Sequence, residues 1–169
     1  MLYGSYNRDG DETYTVVLNS STTDQRFADT AALANWYYGH KVTVAIANTQ
    51  EKTANGNPLI ARIGQTDWTD KTIDATLADP AAQATVFALA GEVTEKVTYD
   101  DLSGTVHVGD KVGSVMLKQD GTKIAVMDLV ADEEGSGPNP IEWLLVKLDR
   151  LGRRIDNRPL TAESETIAK

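Results

Sequence analysis

The chain has 169 residues, a formal net charge of −9 and no cysteine. A chain of this length buries about 70% of the surface that it exposes when unfolded, so a core needs neither a disulfide nor a metal. The absence of cysteine excludes a disulfide framework, a thiolate zinc site and a cysteine nucleophile. Because a strongly acidic domain repels phosphate backbones, we expect no nucleic-acid partner.

The first part of the chain, residues 1–38, begins with a predicted β-hairpin. Two β-rich runs, Leu2–Tyr6 and Thr13–Asn19, are joined by NRDGDE, whose Asp-Gly pair is a strong tight-turn signal. This acidic turn lacks the ordered oxygen ligands and the closing Glu of a calcium loop. We therefore interpret it as a hairpin turn and expect no metal site.

A helix is predicted over residues 23–38, directly after the hairpin. Thr22 followed by Gln25 has the spacing of a capping box. A two-stranded hairpin covers a wide apolar helix stripe poorly, so we expect the stripe to need a further surface. That surface is the β domain, another copy of the chain, or a domain that this chain does not contain. The stripe consists of Phe27, Ala31, Ala34 and Tyr38, widened by Ala28, Leu33, Trp36 and Tyr37.

The second part, residues 41–132, is predicted to be an all-β sandwich domain. Short β-rich segments alternate with turn signals such as Asn-Gly and Asp-Gly, and no helical periodicity of useful length interrupts them. The fold class is therefore mainly β, with a β-sandwich preceded by a hairpin and helix and followed by an amphipathic helix. The candidate strands are Lys41–Ala47, Leu59–Ile63, Lys71–Leu77, Thr85–Leu89, Glu95–Tyr99, Lys111–Lys118 and Thr122–Val130.

An amphipathic helix is predicted over residues 139–155, after the turn-rich linker DEEGSGPNP. Asn139 is the predicted N-cap, followed by a proline and an acidic residue in the first turn. Gly152 is a candidate end of the regular helix, and residues 156–169 are predicted to be a disordered tail. No signal peptide is recognisable at the start of the chain.

The residues alone leave two interpretations of this helix open: packing on the sandwich, or lying at a membrane interface. At ~1.5 Å per residue it is too short to span a bilayer. In the interfacial interpretation an apolar stripe enters the membrane and a basic cluster meets anionic head groups. The apolar stripe is Ile141, Trp143, Leu144, Leu145, Leu148 and Leu151, and the basic cluster is Lys147, Arg150, Arg153 and Arg154.

Two stretches carry a resemblance to a known family. The first is YNRDGDETYTVVLNSSTTDQRFADTAALANWYY, and the second is VGDKVGSVMLKQDGTKIAVMDLVA, residues 108–131. They resemble the end of the catalytic domain and the C-terminal β domain of serine-type D-alanyl-D-alanine carboxypeptidases, the low-molecular-mass penicillin-binding proteins. The likeness covers most of residues 3–152 and is less clear over 48–70. The residues on the family pattern are Arg8, Asp9, Gly10, Arg26, Phe27, Asp29, Leu33, Trp36, Gly109, Asp110, Lys111 and Gly113.

The resemblance implies that the chain is the C-terminal part of an exported bacterial enzyme. The parent would remove the terminal D-alanine from peptidoglycan stem pentapeptides through an acyl-serine intermediate. The β domain would be a non-catalytic spacer near the membrane, or would bind other cell-wall synthesis proteins. The implied location is extracytoplasmic and membrane-associated, and the implied partner of residues 1–38 is the rest of the catalytic domain.

The catalytic motifs of that family are not found in this chain. The family chemistry needs Ser-x-x-Lys, Ser-x-Asn and Lys-Thr-Gly, because serine alone is a weak nucleophile. No serine is followed three residues later by lysine, and Lys-Thr-Gly does not occur. Ser5-Tyr6-Asn7 matches Ser-x-Asn formally, but it lies in the strand that follows the family's catalytic elements. We therefore expect no catalytic residue, cofactor or metal in this chain, and no hydrolysis by it.

The alternative is a stand-alone cell-surface β-sandwich module that binds a protein or glycan partner. Under this interpretation Met1 is a natural gene start. Under the carboxypeptidase interpretation Met1 is an artificial or misassigned start. In either case the orphaned hairpin exposes a strand edge. We therefore predict a homodimer, or segment exchange, through residues 1–38.

Overall fold

A computed structural model describes residues 1–168, which fall into two compact units. The first unit is Met1–Thr43 with Thr85–Ala90, and the second is Val44–Ala84 with the chain from Gly91 onward. The predicted mainly β fold class is confirmed. The elements are β1 (Leu2–Arg8), β2 (Asp11–Val17), α1 (Thr23–Gly39), β3 (Lys41–Ala45), β4 (Ala61–Gly64), β5 (Thr72–Leu77), β6 (Gln83–Phe87), β7 (Val93–Tyr99), β8 (Lys111–Gln119), β9 (Thr122–Ala131), α2 (Pro140–Ile155) and β10 (Glu165–Thr166).

The first unit is built on the antiparallel hairpin of β1 and β2. Its turn is made by Asp9 and Gly10, with φ angles of 54° and 83°, a conformation that glycine adopts at no steric cost and aspartate tolerates. The hydroxyl of Tyr38 on α1 donates to the carbonyl oxygens of Tyr6 (3.0 Å) and Asp11 (2.7 Å). These bonds tie the last turn of the helix to both strands.

Helix α1 buries only part of the predicted stripe, since Ala34 is buried and Ala31 and Tyr38 are half-buried while Phe27 is exposed. Its fully buried residues are Thr30 and Ala34, whereas Phe27, Leu33 and Trp36 are exposed. Apolar residues therefore lie on two sides of the helix, and the hairpin covers only one of them. The predicted start is as expected: Thr22 Oγ1 accepts the backbone N–H of Gln25 at 3.1 Å.

The second unit contains one six-stranded antiparallel sheet in the order β10-β4-β5-β9-β8-β7. The hairpin of β8 and β9 turns at Asp120 and Gly121, which have φ angles of 48° and 76°. A second layer on the same core comes from Ile46, Ala82 and Ala84, close to the two-stranded pairing of β3 and β6. The centre of this core is formed by Ile60, Ile63, Leu77, Val112, Val115 and Leu129.

The tail differs from the prediction, because residues 165 and 166 form β10 on the edge of β4 instead of being disordered. The backbone N–H groups of Ile167 and Ala168 both donate to the carbonyl oxygen of Ile60. Gly64 makes this docking possible, since a Cβ at that position would lie 2.1 Å from the Ala162 carbonyl oxygen. A strand of two residues has no alternating pattern, so periodicity cannot reveal it. Lys169 lies outside the described residues.

Helix α2 spans the predicted range and continues past the candidate end at Gly152. The Asn139 side chain accepts the N–H groups of Ile141 and Glu142, and the Glu142 carboxylate accepts the N–H of Asn139 at 2.9 Å. This is a complete capping box. Gly152 does not end the helix, which continues to Ile155. Gly152 has a negative φ and no left-handed terminal conformation, so the usual glycine stop is not used.

Candidate functional site

The family-pattern residues of the first unit split into turn residues and helix residues. The Arg8 guanidinium lies 4.5 Å from the centroid of the Tyr38 ring and donates to Asn35 Oδ1 at 3.3 Å. Asp9 and Gly10 form the turn itself. These three residues therefore link the hairpin turn to the C-terminal half of α1, which is a structural role.

Asp29 organises the entry into α1. Its carboxylate accepts the Gln25 side-chain amide and the Ser20 hydroxyl, each at 2.7 Å. These two hydrogen bonds hold the pKa of Asp29 below its ordinary value. The polar turn between β2 and α1 is thereby fixed to the first turns of the helix. Arg26 of the same motif is half-buried, while Phe27 is exposed.

An open apolar groove lies between the end of β2 and the outer side of α1, and we call it the hairpin–helix groove. Its volume is about 560 Å³. Trp36, Leu33 and Leu18 line it with exposed fractions of 51%, 46% and 66%. Exposed apolar side chains clustered in this way mark an interaction surface. The complete lining is Val16, Val17, Leu18, Asp29, Ala32, Leu33 and Trp36.

Three family-pattern residues, Asp29, Leu33 and Trp36, thus meet in one groove. The outer face of the hairpin continues the apolar surface of the unit, since Tyr3 and Tyr14 are exposed and stack with their ring centroids 5.9 Å apart. The sequence spacing predicts that these residues belong to a packing surface. It does not predict which of them the hairpin covers.

The second family stretch forms a turn and the start of β8. Asp110 Oδ2 accepts the N–H of His107 at 2.8 Å, and Lys111 pairs with Asp128 at 2.7 Å. Gly109 has a φ of 89° in the turn. A Cβ on Gly113 would lie 2.3 Å from the Thr98 carbonyl oxygen in the neighbouring strand. Gly109, Asp110 and Gly113 therefore shape the backbone of this stretch, and Lys111 forms an exposed ion pair between β8 and β9.

Helix α2 turns a narrow, mostly polar side toward its own unit. Val146 is the buried residue of the helix. Arg150 donates to the carbonyl oxygens of Thr66 (2.6 Å) and Leu160 (2.9 Å). Arg153 pairs with Asp149 at 2.7 Å. Two cations of the predicted basic cluster are therefore engaged by the protein.

The opposite side of α2 is an exposed apolar stripe, which we call the α2 stripe. A helix packed on a core by hydrophobic burial has the reverse arrangement, with its apolar side covered. Lys147 lies 3.7 Å from the centroid of the Trp143 ring at one border of the stripe, and Arg154 is exposed near the same border. The exposed members are Ile141, Leu144, Leu145, Leu148, Leu151 and Ile155, with Trp143 half exposed.

Neither helix in the part of the chain described by the structure has the length and apolar content needed to cross a bilayer. Within residues 1–168 no three His, Asp or Glu side chains converge to hold a metal ion. Ser5, the serine of the formal Ser-x-Asn match, donates its hydroxyl to Glu12 at 3.0 Å on the exposed face of β1. This serine has a carboxylate partner and no lysine partner.

One polar residue that the sequence analysis did not single out is Glu95. It occupies the inner row of β7 with Val93, Val97 and Tyr99, because alternate strand residues share a face. Its Oε1 atom is buried and has no hydrogen-bond partner in the part of the chain that the structure describes, and burial raises the pKa of its carboxyl. The sequence did contain a signal for it: Glu95 is the one acidic residue in a row of alternate strand residues that otherwise consists of Val93, Val97 and Tyr99.

The comparisons with known proteins returned structures only, since no family model and no curated protein matches the chain. Penicillin-binding protein 5 from Haemophilus influenzae is similar, with a TM-score of 0.44 and 17% identity over 80% of this chain and 38% of that one. The D-alanyl-D-alanine carboxypeptidase DacD from Francisella tularensis has a TM-score of 0.43 and 16% identity over 81% and 33%. The chain thus spans 38% and 33% of the lengths of these two structures.

Proposed function

We propose that this chain is the C-terminal, non-catalytic portion of a D-alanyl-D-alanine carboxypeptidase that acts in peptidoglycan maturation. Residues 1–38 are the terminal hairpin and helix of the catalytic domain. The β domain, residues 41–132, is a spacer or interaction module, extracytoplasmic and close to the membrane. The parent removes the terminal D-alanine from stem pentapeptides, and the catalytic residues belong to the rest of the parent.

The observation that carries this proposal is the hairpin–helix groove. A hairpin of two strands is marginal on its own, and here Leu33 and Trp36 remain about half exposed after the hairpin has covered the other side of α1. Both residues lie on the sequence pattern through which the chain resembles the carboxypeptidases. An apolar surface that carries motif residues and lacks a cover fits a segment whose partner is the preceding part of the same domain.

The α2 stripe supports a second part of the proposal, that the chain contacts a membrane surface. The stripe has the length and apolar content of an interfacial helix rather than of a spanning one. Lys147 and Arg154 at its border would face anionic head groups, each contributing about 1 kcal/mol near such a surface. The β domain would then hold the catalytic domain off the membrane or bind other cell-wall synthesis proteins.

Reading the coding sequence upstream of the Met1 codon tests the proposal directly. We expect an in-frame segment that encodes Ser-x-x-Lys, Ser-x-Asn and Lys-Thr-Gly in that order. The extended protein should then be labelled covalently by a fluorescent penicillin, whereas the chain of 169 residues should not be labelled. An upstream frame without these motifs, or labelling of the short chain itself, contradicts the proposal.

The alternative function, a stand-alone surface module that binds a protein or glycan, is favoured by one observation. The second unit has its own buried core, formed entirely by residues of that unit. It therefore has the means to fold without a catalytic domain. The alternative predicts a stop codon directly upstream of Met1, together with capture of wall glycan by the second unit.

A further inference from the structure

A cavity of about 460 Å³ lies in the second unit, between β3 and the paired strands β7 and β8. This volume is within the range of small-molecule pockets, roughly 300–1,000 Å³. Glu95 is the charged residue of its lining. The apolar part of the lining is Val44, Ala45, Ile46, Val93 and Leu117.

The Glu95 carboxyl is unusually placed for a strand residue. It is directly opposite Leu117 in the ladder of β7 and β8, and its Oε1 atom is buried without a hydrogen-bond partner among residues 1–168. Buried polar atoms in folded proteins are nearly always paired, and an unpaired acceptor destabilises the fold. Because Glu95 lines the cavity, a rotation of its side chain would expose this oxygen to a donor that enters from outside.

We propose that this cavity binds an alkylammonium group, meaning a primary ammonium on a short apolar stem. The ammonium supplies donors and a positive charge to the Glu95 carboxylate, and the stem packs against Val44, Ile46 and Leu117. An ammonium is a compact point charge with three rotatable donors on a flexible stem, which suits one carboxylate at the edge of an apolar cavity.

The charge of the chain favours the same ligand class. The net charge of −9 attracts cations and repels anions. An alkylammonium group has two sources: a free amine, or the side chain of a lysine in a partner. Both sources present the same chemistry to Glu95. This inference is independent of the proposed function, since it uses only residues of the second unit and no catalytic motif.

Titration of the ¹⁵N-labelled chain followed by two-dimensional NMR tests the proposal. We expect n-pentylammonium to shift the backbone amide signals of Ile46, Glu95 and Leu117 in a saturable way. The neutral isostere 1-pentanol should bind at least about tenfold more weakly, because hydrogen bonds to charged groups account for that difference or more. Nα-acetyl-lysine N-methylamide distinguishes the sources: saturation at similar concentrations points to a lysine side chain, and weaker binding points to a free amine.

Two matched variants locate the interaction. Glu95→Gln keeps the shape of the side chain and should weaken n-pentylammonium binding at least about tenfold. Glu92→Gln removes the same charge from an exposed residue near the start of the same strand, and binding should be unchanged. Equal binding of the ammonium and the alcohol, unchanged binding by Glu95→Gln, or no saturable shifts with the native chain would each overturn the proposal.

Discussion

Glu95 makes the second unit sensitive to pH, and the direction of the effect follows from its burial. Burial raises the pKa of this carboxyl above its ordinary value of 4.5, so the folded chain keeps a proton that the unfolded chain has already released. Stability therefore falls as the pH rises from about that ordinary value through the raised one.

We predict that Glu95→Gln is more stable than the native chain at pH 8, by about 1 kcal/mol, because it removes the buried charge. The difference should shrink toward pH 4, where the native carboxyl is protonated in both states. Urea unfolding at the two pH values measures both free energies. A native chain that is the more stable of the two at pH 8 contradicts the prediction.

Two glycines provide a residue-scale test of backbone packing, with opposite expected signs. A Cβ on Gly113 would lie 2.3 Å from the Thr98 carbonyl oxygen, whereas a Cβ on Gly152 meets nothing within 4 Å. Gly113→Ala should destabilise the chain by about 1–3 kcal/mol, because the neighbouring strand must shift. Gly152→Ala should stabilise it by up to about 1 kcal/mol, since alanine favours a helix interior. Thermal unfolding of both variants measures these changes in stability. An unchanged stability of Gly113→Ala would contradict the prediction and show that β7 can shift at little cost.

At the scale of elements, local sequence patterns predicted the positions of the strands well. They predicted less well which sides of the elements are buried and which distant strands pair. Asp-Gly pairs located the turns after β1 and β8, and β-rich runs located the strands within a few residues. The buried side of α1 was predictable only in part: Ala34 lies on it as predicted, whereas Thr30 is a polar residue that an apolar pattern does not mark. The pairing of β10 with β4 joins residues about 100 positions apart, and no local signal encodes it.

The orientation of α2 is another property that periodicity leaves open. The hydrophobic pattern predicts that one side is apolar, but it does not state whether that side meets the core, a membrane or another protein. The contacts of Val146 and Arg150 decide which side faces the protein. Because Val146 and Arg150 face the protein, the α2 stripe faces solvent. The interfacial interpretation can therefore be tested by substitutions in the stripe.

We predict that the chain binds vesicles of mixed anionic and zwitterionic phospholipid through α2. Leu145→Asp should reduce co-sedimentation strongly, because an aspartate must leave water when the stripe enters the interface. Leu89→Asp makes the same change at an exposed leucine outside α2, and binding should be retained. Absence of binding by the native chain, or equal loss in both variants, would remove α2 as the contact.

At the scale of the whole molecule, the sheet core of the second unit covers its apolar residues, whereas the α2 stripe and the hairpin–helix groove leave apolar residues exposed. The core residues Ile60, Val112 and Leu129 of the second unit are fully buried. In the first unit, Leu33 and Trp36 remain about half exposed. The sequence predicts this contrast, because a two-stranded hairpin is too small to cover both sides of a helix with apolar residues on each.

The uncovered groove leads to a prediction about association. In solution the chain of 169 residues should dimerise through residues 1–38, with the hairpin–helix groove of each copy covered by the other. Light scattering coupled to gel filtration should show a mass that rises toward the dimer with concentration.

Leu33→Lys should shift the mass to that of the monomer, because it places a charge in the groove, whereas Leu144→Lys on the α2 stripe should leave the dimer intact. The reverse pattern would assign the association to α2. If the groove is the seat of the rest of a catalytic domain, the extended protein should be monomeric at the same concentrations, because its own chain then occupies that surface.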